Sequence, residues 1–275
     1  MAEKGERLTS RDNRWLKRFR AALAGHAEKD GALLGVEGPR LVEEALRSGV
    51  AAEALLVSDS GERHLLSLRH CLHAKLRMLR TSDRLFAAVA GTETPQGVAA
   101  LVEPPHWRMP DLLGAAALVV ALAGVQDPGN VGAIIRAAEA FGASGVVACA
   151  GSANPLGVKA VRASAGSVFR LPTLSGLRPA DLQAELRKRG LPQFAAVTAE
   201  GPAPVETDLA QPCVLWIGSE GSGLPEEIQR ATDASIRIPL RPTVDSLNAA
   251  SAATVLLYEA ARQRGRAGRL PEAER

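Results

Sequence analysis

The sequence predicts an α/β protein of two layered domains, the second built on a mostly parallel sheet. Three observations carry this prediction. Apolar strand-like runs alternate with helix-like runs along most of the chain, and a proline-rich segment at 103–110 interrupts the alternation once. A glycine loop, Gly218-Ser-Glu-Gly-Ser-Gly-Leu224, follows an apolar run and leads into a predicted helix. With 275 residues, 46% of them hydrophobic, the chain has enough core for both domains.

The first domain is predicted to span residues 1–105 and to open with a basic amphipathic helix over 10–25. Strands and helices then alternate between Gly, Ser and Asp residues, with Ser82 a natural N-cap for the third of the helices that follow. The predicted strands lie at 32–36, 54–57, 76–79 and 97–102, and these helices at 39–48, 62–72 and 83–90. The prolines place a linker over 106–113.

The second domain is predicted to span 114–275, and it restarts the alternation with a long apolar strand at 116–124. A strand without polar alternation is typical of a parallel sheet that is covered on both faces. Further strands are predicted at 144–149, 193–198, 213–217 and 235–238, and helices at 131–142, 156–165, 180–189, 225–231 and 247–264.

Charge is unevenly distributed although the formal net charge is only +3. Basic residues concentrate in 1–20 and in a late stretch made up of Arg262, Arg264, Arg266, Arg269 and Arg275. Such ends either solubilise a protein or contact nucleic-acid phosphates, and both interpretations stay open here. The N-terminus is charged, and no apolar run reaches the ~18 residues that a membrane helix needs, so we expect a cytoplasmic protein that does not contact a membrane.

The cysteines and histidines do not indicate a metal site. Cys71, Cys149 and Cys213 are far apart and lack the spacing of zinc ligands, which favours reduced core residues. His70 and His73 flank Cys71 on a predicted helix, where two histidines are more often ordinary helix residues than ligands. We therefore expect no bound metal.

The glycine loop favours a ligand without a phosphate. Glu226 and Glu227 fall in the predicted first turn of the next helix, where two carboxylates would repel a diphosphate. The glycine order is G-x-x-G-x-G, which is not the dinucleotide fingerprint, so a nicotinamide-dependent enzyme is disfavoured. Two interpretations remain: a loop whose backbone holds a ligand closely, or simply a tight turn.

The helix predicted at 131–142 carries a second candidate site. Its apolar stripe leaves Arg136 pointing to solvent or to a site, and the stripe consists of Val131, Ile134, Ile135 and Ala138. Asn130 precedes this helix and is a good N-cap. For Asn130 and Arg136 to share a site, Asn130 must lie on the incoming loop, and the neighbouring Pro128 and Gly129 favour that.

Three segments of the second domain, in order along the chain, resemble the motifs of a known family, and the first domain resembles a module of the same family. The segments are Asp127-Pro-Gly-Asn-Val-Gly-Ala-Ile-Ile-Arg-Ala-Ala-Glu-Ala-Phe-Gly142, Ile217-Gly-Ser-Glu-Gly-Ser-Gly-Leu224 and Ile238-Pro-Leu-Arg-Pro-Thr-Val-Asp-Ser-Leu-Asn-Ala-Ala-Ser-Ala-Ala253. They resemble the three motifs of the SpoU (TrmH) family of RNA ribose 2′-O-methyltransferases, in the SPOUT superfamily. The first domain resembles the family's ribosomal-protein-like RNA-binding module, through Leu34-Gly-Val-Glu-Gly-Pro-Arg-Leu-Val-Glu-Glu-Ala-Leu46 and Thr92-Glu-Thr-Pro-Gln-Gly-Val98.

The resemblance implies a deep trefoil knot in the second domain, S-adenosylmethionine as the cofactor bound there, and a homodimer. The cofactor contacts that it implies are Gly218, Ile238, Leu247 and Thr198. Two departures from the family pattern are Leu240, where the family usually has Met, and Arg241-Pro-Thr, a stiff replacement for a glycine-containing turn.

The resemblance also implies the catalytic residues, namely Arg136, Asn130, Glu220, Ser246 and Asn248. Family precedent makes Arg136 the general base, but arginine side chains stay protonated in proteins, which favours a cation that binds phosphate and stabilises a developing alkoxide. Glu220 either orients Arg136 or Asn248 or faces water. Ser246 belongs to the site, caps the last helix, or does both.

The leading functional hypothesis is therefore an S-adenosylmethionine-dependent RNA methyltransferase acting on a ribose 2′-hydroxyl. The two-domain layout resembles that of family members that act on large-subunit (23S) ribosomal RNA more than that of the minimal tRNA enzymes, so the resemblance favours this RNA as the substrate. The alternatives are a tRNA 2′-O-methyltransferase and a non-catalytic RNA-binding assembly factor on the same fold.

Overall fold

The computed structural model describes residues 5–25, 33–73 and 75–266, without the side chain of Arg266. The chain divides into two compact units, Met1–His106 and Trp107–Arg275. The 106–113 stretch contains a 3₁₀ turn over Met109–Leu112, and Leu112 is buried in the core of the second unit. Among the described helices, none is long and apolar enough to span a membrane.

The first unit contains a mixed sheet in the order β1-β4-β3-β5-β2. Within it, β5 runs antiparallel to β2 and β3, whereas β4 pairs parallel with β1 and β3. The strands are β1 (Glu6–Leu8), β2 (Leu34–Glu37), β3 (Ala52–Ser58), β4 (Arg77–Thr81) and β5 (Val98–Val102), and the helices are α1 (Arg14–Leu23), α2 (Pro39–Arg47), α3 (Leu65–Leu68) and α4 (Asp83–Ala87).

The predicted basic helix is confirmed as α1, which begins after Asn13. The Asn13 side chain accepts a hydrogen bond from the Trp15 backbone N–H at 2.8 Å, which caps the helix. One face of α1 is buried in the core of this unit through Trp15, Leu16, Phe19 and Leu23. Gly35 of β2 allows this packing, because a Cβ there would lie 2.6 Å from the backbone of Ala22.

Two details of the first unit differ from the sequence prediction and one agrees. The predicted helix at 62–72 is a 3₁₀ turn, Ser60–His64, followed by the short α3, so His70 and Cys71 lie in a turn. The sequence also missed β1, whose three residues are too few for a periodicity to register. Ser82 is confirmed as the N-cap of α4, where its side chain accepts from the Leu85 N–H.

The second unit contains an entirely parallel sheet among the described strands, in the order β11-β9-β10-β6-β7-β8. The α/β class and the parallel sheet are confirmed. The strands are β6 (Leu118–Ala123), β7 (Gly145–Ala148), β8 (Thr173–Ser175), β9 (Gln193–Val197), β10 (Cys213–Gly218) and β11 (Ala234–Arg237), and the helices are α5 (Pro128–Ala140), α6 (Val158–Ala163), α7 (Pro179–Lys188), α8 (Glu226–Arg230) and α9 (Ala249–Arg266).

The central pair of strands, β6 and β10, determines where loops of the second unit meet. They pair in register from Cys213 with Leu118 to Gly218 with Ala123, so both strands end at the same level. Parallel sheets bind ligands outside the carboxyl ends of their strands. The loops that follow β6 and β10 therefore come together at the edge where a site is expected.

The late basic stretch does not form one exposed cationic surface. Arg264 is only 2% exposed, and its guanidinium donates to the backbone carbonyls of Ala116, Ala117, Leu209 and Gln211 at 2.6–3.1 Å. Arg262 forms an ion pair with Glu259. Phosphate contact by Arg264 is thus excluded, and Arg269 and Arg275 lie outside the described residues, as does the side chain of Arg266.

Two of the three cysteines are core residues, as the sequence indicates. Burial raises the pKa of the Cys149 thiol to about 12 and that of Cys213 to about 11, so both stay protonated at neutral pH. Cys71 is only half-buried, which corrects its assignment to the core.

Candidate functional site

A cavity of about 450 Å³ opens at the carboxyl end of the central strands in the second unit. Its walls come mainly from the end of β9 with its following loop, from the glycine loop after β10, and from the segment 236–247 that leads from the end of β11 towards α9, with Ala249 and Ala252 of α9 beside it. The four predicted cofactor contacts all line it, and they are Gly218, Ile238, Leu247 and Thr198. The volume lies within the range of about 300–1,000 Å³ that is usual for small-molecule sites.

The glycine loop is both a tight turn and a wall of the cavity. Ser219 and Gly223 exchange backbone hydrogen bonds of 3.1 and 3.0 Å, which close the turn. A Cβ on Gly218 would lie 2.2 Å from the carbonyl carbon of Gly223, and Gly223 itself has φ +67°, so both positions require glycine for the turn alone. The tight turn is therefore confirmed, and the holding of a ligand by the loop backbone stays a prediction.

A hydrogen-bonded chain joins one residue from each of the three motifs. The Asn248 side-chain oxygen accepts from the Ala250 and Ser251 N–H groups at 2.9 and 3.3 Å, so its amide nitrogen is left to face outward from the helix start. That nitrogen donates to Asn130 Oδ1 at 3.0 Å, and Asn130 Nδ2 in turn donates to Glu220 Oε1. The start of α9 thus fixes the direction of both amides and anchors the carboxylate of Glu220.

Three expectations about these residues need correction. Asp127, not Asn130, caps α5, because Asp127 Oδ1 accepts from the Gly129 N–H at 2.6 Å; Asn130 is the third residue of the helix rather than part of the incoming loop. Asn248, not Ser246, caps the last helix, which begins at Ala249. Glu220 is held by Asn130 and not by Arg136 or Asn248. In each case a neighbouring residue of similar chemistry has the geometry that the cap or bond requires.

Arg136 lies on the exposed side of α5, as predicted. The stripe Val131, Ile134, Ile135 and Ala138 is fully buried, whereas Arg136 is exposed and has no hydrogen-bond or ion-pair partner among the described residues. Arg136 and Asn130 are not among the residues that line the cavity. Ser246 does line it and is exposed. Of the predicted catalytic residues, Glu220 and Ser246 line the cavity, Asn130 and Arg136 lie on α5, and Asn248 lies at the start of α9.

Sequence reasoning missed three charged residues that line the cavity, namely Arg237, Arg241 and Asp245. They belong to the end of β11 and to the segment that follows it. A usable signal was present, since charged residues that directly follow a buried strand of a parallel sheet lie at the ligand-binding edge. From the sequence, Arg241 is expected only as part of a stiff turn.

Comparison with known families gives a match for each unit. The model of the SpoU rRNA Methylase family matches residues 117–258. The model of the MRM3-like substrate binding domain matches residues 26–100. All of the candidate site residues lie within the first of these two ranges.

Individual relatives match over most of the chain. The 23S rRNA (guanosine(2553)-2′-O)-methyltransferase RlmP of Bacillus subtilis is 33% identical over 81% of this chain and 86% of its own. A 23S rRNA (uridine(2479)-2′-O)-methyltransferase of Streptomyces viridochromogenes is 35% identical over 94% of this chain and 92% of its own. The crystal structure of the SpoU methyltransferase AviRb from Streptomyces viridochromogenes in complex with the cofactor AdoMet covers 92% of this chain and 98% of its own, with a TM-score of 0.80 and 28% identity.

Proposed function

The chain belongs to the SpoU rRNA methylase family, and we propose on that premise that it is an S-adenosylmethionine-dependent methyltransferase acting on a ribose 2′-hydroxyl of 23S ribosomal RNA. The observation that carries the proposal is the chain of hydrogen bonds from Asn248 through Asn130 to Glu220. It joins all three family motifs at one place, next to a cavity of suitable size. Three motifs that merely preserved a fold would not need to converge on one exposed carboxylate.

The cavity fits S-adenosylmethionine in chemical character. Its walls combine apolar side chains with the backbone of two loops, which suits an adenosine, and Glu220 and Asp245 suit a cationic ligand. Gly218, Ile238, Leu247 and Thr198 would hold the cofactor. When bound, S-adenosylmethionine supplies an electrophilic methyl group on a sulfonium. No metal is part of the proposal.

Arg136 is proposed to serve the RNA side of the reaction. Its exposed guanidinium can bind a phosphate with two parallel hydrogen bonds and stabilise negative charge on the 2′-oxygen. Because an arginine side chain remains charged, we assign it the role of a cation rather than a base, and the 2′-hydroxyl proton leaves to phosphate or water. Alignment of the oxygen with the methyl carbon is the other main contribution that a protein can make.

Glu220, Asn130 and Asn248 are proposed to position groups around the 2′-hydroxyl. One oxygen of Glu220 is bound by Asn130, and the side chain is exposed at the cavity wall. Ser246, also exposed on that wall, is available to a ligand because it does not cap α9. These four residues together with Arg136 form the proposed catalytic site.

Ribosomal RNA is favoured over tRNA by the relatives and by the first unit. Both relatives named above methylate 23S RNA, and they match more than four-fifths of this chain, including its first unit. We therefore propose that the first unit, residues 1–105, binds the RNA substrate, that 106–113 is the linker, and that the enzyme works in the cytoplasm, where ribosomal RNA is found. A tRNA substrate and a non-catalytic assembly role are the competing functions.

A homodimer formed by the second unit is also proposed. α5 packs against α9, and together they expose Val255 and Tyr258, which are 41% and 56% accessible, with Phe141 in edge contact with Tyr258. Exposed large apolar residues that lie together are typical of an interface. Tyr258→Glu should yield a monomer in sedimentation at micromolar concentration, whereas Leu66→Glu, an exposed apolar site in the first unit, should not. A wild-type monomer would contradict the proposal.

The trefoil knot is proposed for 114–264 on family membership and on the course of the chain. After β11 at the edge of the sheet, the segment 238–248 returns past the ends of β9 and β10 and leads into α9, which packs against α5 and β10. Mechanical stretching between engineered attachment points at the two ends of this range tests it. A knotted chain should extend to less than its full contour length, and full extension would contradict the knot.

The function is tested by mapping ribose methylation in total RNA from cells with and without the gene. We expect one 2′-O-methyl site in 23S RNA to be lost with the gene and restored by the wild-type protein. Loss of a site in tRNA would identify the alternative substrate. An unchanged methylation map with altered ribosome assembly would identify a non-catalytic factor.

A further inference from the structure

One cation in the cavity has no role in the function proposed above. Arg241 lines the cavity, is exposed, and has no hydrogen-bond or ion-pair partner within the part of the chain that the structure describes. A guanidinium presents a planar set of donors that matches a carboxylate or a phosphate. Its position against the cavity raises the question of which anion it binds.

The backbone holds Arg241 in a fixed place. The Val244 N–H donates to the Arg241 carbonyl at 2.9 Å, which closes a four-residue turn with Pro242 in its second position. Proline there has its φ set in advance for a β-turn, which favours this turn. The side chain of Arg241 therefore starts from a stable point on the cavity wall.

The charges around the cavity match the charges of the cofactor. Four charged side chains line the cavity, and no ion pair joins any two of them in the described structure: Glu220, Asp245, Arg237 and Arg241. S-adenosylmethionine carries a sulfonium, an ammonium and one carboxylate. Two carboxylates in the wall suit the two cationic groups, and a guanidinium suits the carboxylate.

Arg241 is a better candidate for that contact than the other arginines. Arg237 belongs to β11, where side chains alternate between faces, and it points away from the face on which Ile236 is buried. Arg136 does not line the cavity and is left for the RNA. Arg241 lies in the segment between Ile238 and Leu247, both of which also line the cavity.

Building on the proposed function, we propose that Arg241 binds the carboxylate of the methionine part of S-adenosylmethionine and so determines specificity for the intact cofactor. Arg241 is then a binding residue of the Arg241-Pro-Thr turn, which departs from the glycine-containing turn that is usual in the family. Its loss should weaken only ligands that carry the carboxylate.

The test measures binding by calorimetry with the full-length protein and two ligands, S-adenosylmethionine and its decarboxylated analogue, which lacks only the carboxylate. Wild type should bind the intact cofactor at least about tenfold more tightly, as expected when one charge-assisted contact is lost. Arg241→Gln should bind both ligands with equal affinity, and Arg241→Lys should retain part of the preference. Arg237→Gln, which removes the other arginine of the cavity wall, should keep the preference for the intact cofactor. Arg230→Gln, outside the cavity and paired with Glu226, is the control whose affinities should equal those of wild type.

Several outcomes would overturn the inference. A preference that survives in Arg241→Gln, or one that disappears in Arg237→Gln, assigns the carboxylate elsewhere. An Arg241→Gln variant with unchanged cofactor binding but weakened RNA binding assigns Arg241 to the RNA. A wild-type protein that binds the two ligands equally refutes the Arg241 contact and leaves the methyltransferase assignment intact, whereas a wild-type protein that binds neither refutes both. Thermal melting confirms that each variant is folded.

Discussion

The charged side chains of the first unit and those around the cavity of the second unit are arranged differently. Around the sheet of the first unit, arginines face carboxylates in ion pairs that include Arg7 with Asp59, Arg18 with Glu53, Arg77 with Glu6 and Arg80 with Glu62. Around the cavity, Arg237, Arg241 and Asp245 have no ion-pair partner in the described structure. The difference teaches that sequence charge alone does not identify a binding surface.

Paired and unpaired charges have different expected effects. An exposed ion pair contributes about 0–1 kcal/mol to stability. The carboxylate of the pair offsets the charge of the cation, which weakens the attraction of that cation for a phosphate. An unpaired charge that is held at a cavity contributes nothing to folding but is available to a ligand. The basic helix α1, which the sequence offered as an RNA contact, belongs partly to the first class, because Arg18 is bound to Glu53 through both oxygens.

The largest expected effect comes from removing the unpaired cation on α5. Arg136→Ala should reduce methyl transfer about 10²–10³-fold, as when a group that stabilises developing charge is lost, with cofactor binding and melting temperature nearly unchanged. Arg136→Lys should also fail, because Lys lacks the bidentate fork. The matched control is Arg178→Ala, an exposed arginine paired with Asp181, which should leave turnover unchanged. Substantial turnover by Arg136→Ala would contradict the view that unpaired charges serve function and paired charges do not.

The next largest effect is expected at Arg264, a buried cation that belongs neither to the ion-paired charges nor to the unpaired charges. Arg264→Met removes the Arg264 donors from four backbone carbonyls, of which that of Ala117 still accepts from the Cys213 N–H. The cost is about 1–3 kcal/mol for each carbonyl that is left without a donor and that water cannot reach, so the free energy of unfolding should fall by at least ~3 kcal/mol. Arg262→Met, which breaks only the pair with Glu259, should cost less than about 1 kcal/mol. Urea denaturation measures both. If the two variants lost the same free energy of unfolding, the buried hydrogen bonds of Arg264 would contribute no more to stability than the ion pair of Arg262.

A smaller effect should follow from reversing the hydrogen-bond direction at the start of α9. Asn248→Asp keeps a good N-cap but removes the donor to Asn130, whose amide must then turn and present its carbonyl to Glu220. Turnover should fall about tenfold or more, while stability changes by less than ~0.5 kcal/mol. Kinetics and melting curves on the same preparation separate the two. Full activity would mean that the position of Glu220 does not depend on this chain of bonds.

Removing the first unit sharpens the comparison further. A protein starting at Trp107, where the second unit begins, should bind S-adenosylmethionine as well as the full chain does. Its RNA affinity should fall, and the log–log salt slope should flatten by roughly one unit for each phosphate contact removed. Because several first-unit cations are paired, we expect a loss of few contacts. Methylation at full rate with an unchanged slope would show that the first unit is not a substrate-binding module.

The smallest effect is expected from a paired charge of the first unit. Hydrogen bonds from Arg18 lower the pKa of Glu53 below its ordinary value. A carboxylate with a depressed folded-state pKa stabilises the fold above its unfolded pKa, and that stability is lost as pH falls through the folded pKa. Arg18→Gln should cost about 1 kcal/mol at pH 7, and the part due to the ion pair should disappear at acid pH, which leaves only the loss of the Arg18 contact with the Trp15 ring. Hydrogen exchange of α1 measures it, and a loss that grows towards acid would contradict the pairing.

Local sequence patterns predicted the helices and their buried faces, but they could not predict contacts between residues that are distant in the sequence. The buried stripe of α5 and the exposed position of Arg136 follow from helical periodicity, so the sequence predicted them correctly. The two misplaced caps lie within two or three residues of the true ones, because several residues able to cap stand next to one another. The bond between Asn130 and Glu220 joins positions 90 residues apart, and the Arg18–Glu53 pair joins positions 35 apart, which no periodicity registers.

The chain of bonds that begins at Asn248 has a consequence for protein synthesis. Asn248 follows Asn130 by 118 residues, and α9, which it caps, is tied by Arg264 to the beginnings of β6 and β10. A nascent chain that still has α9 inside the ribosomal exit tunnel contains Arg136 and Glu220 but cannot hold Glu220 in place. The bonds from Asn248 to Asn130 and from Asn130 to Glu220 can therefore form together only after α9 emerges and docks.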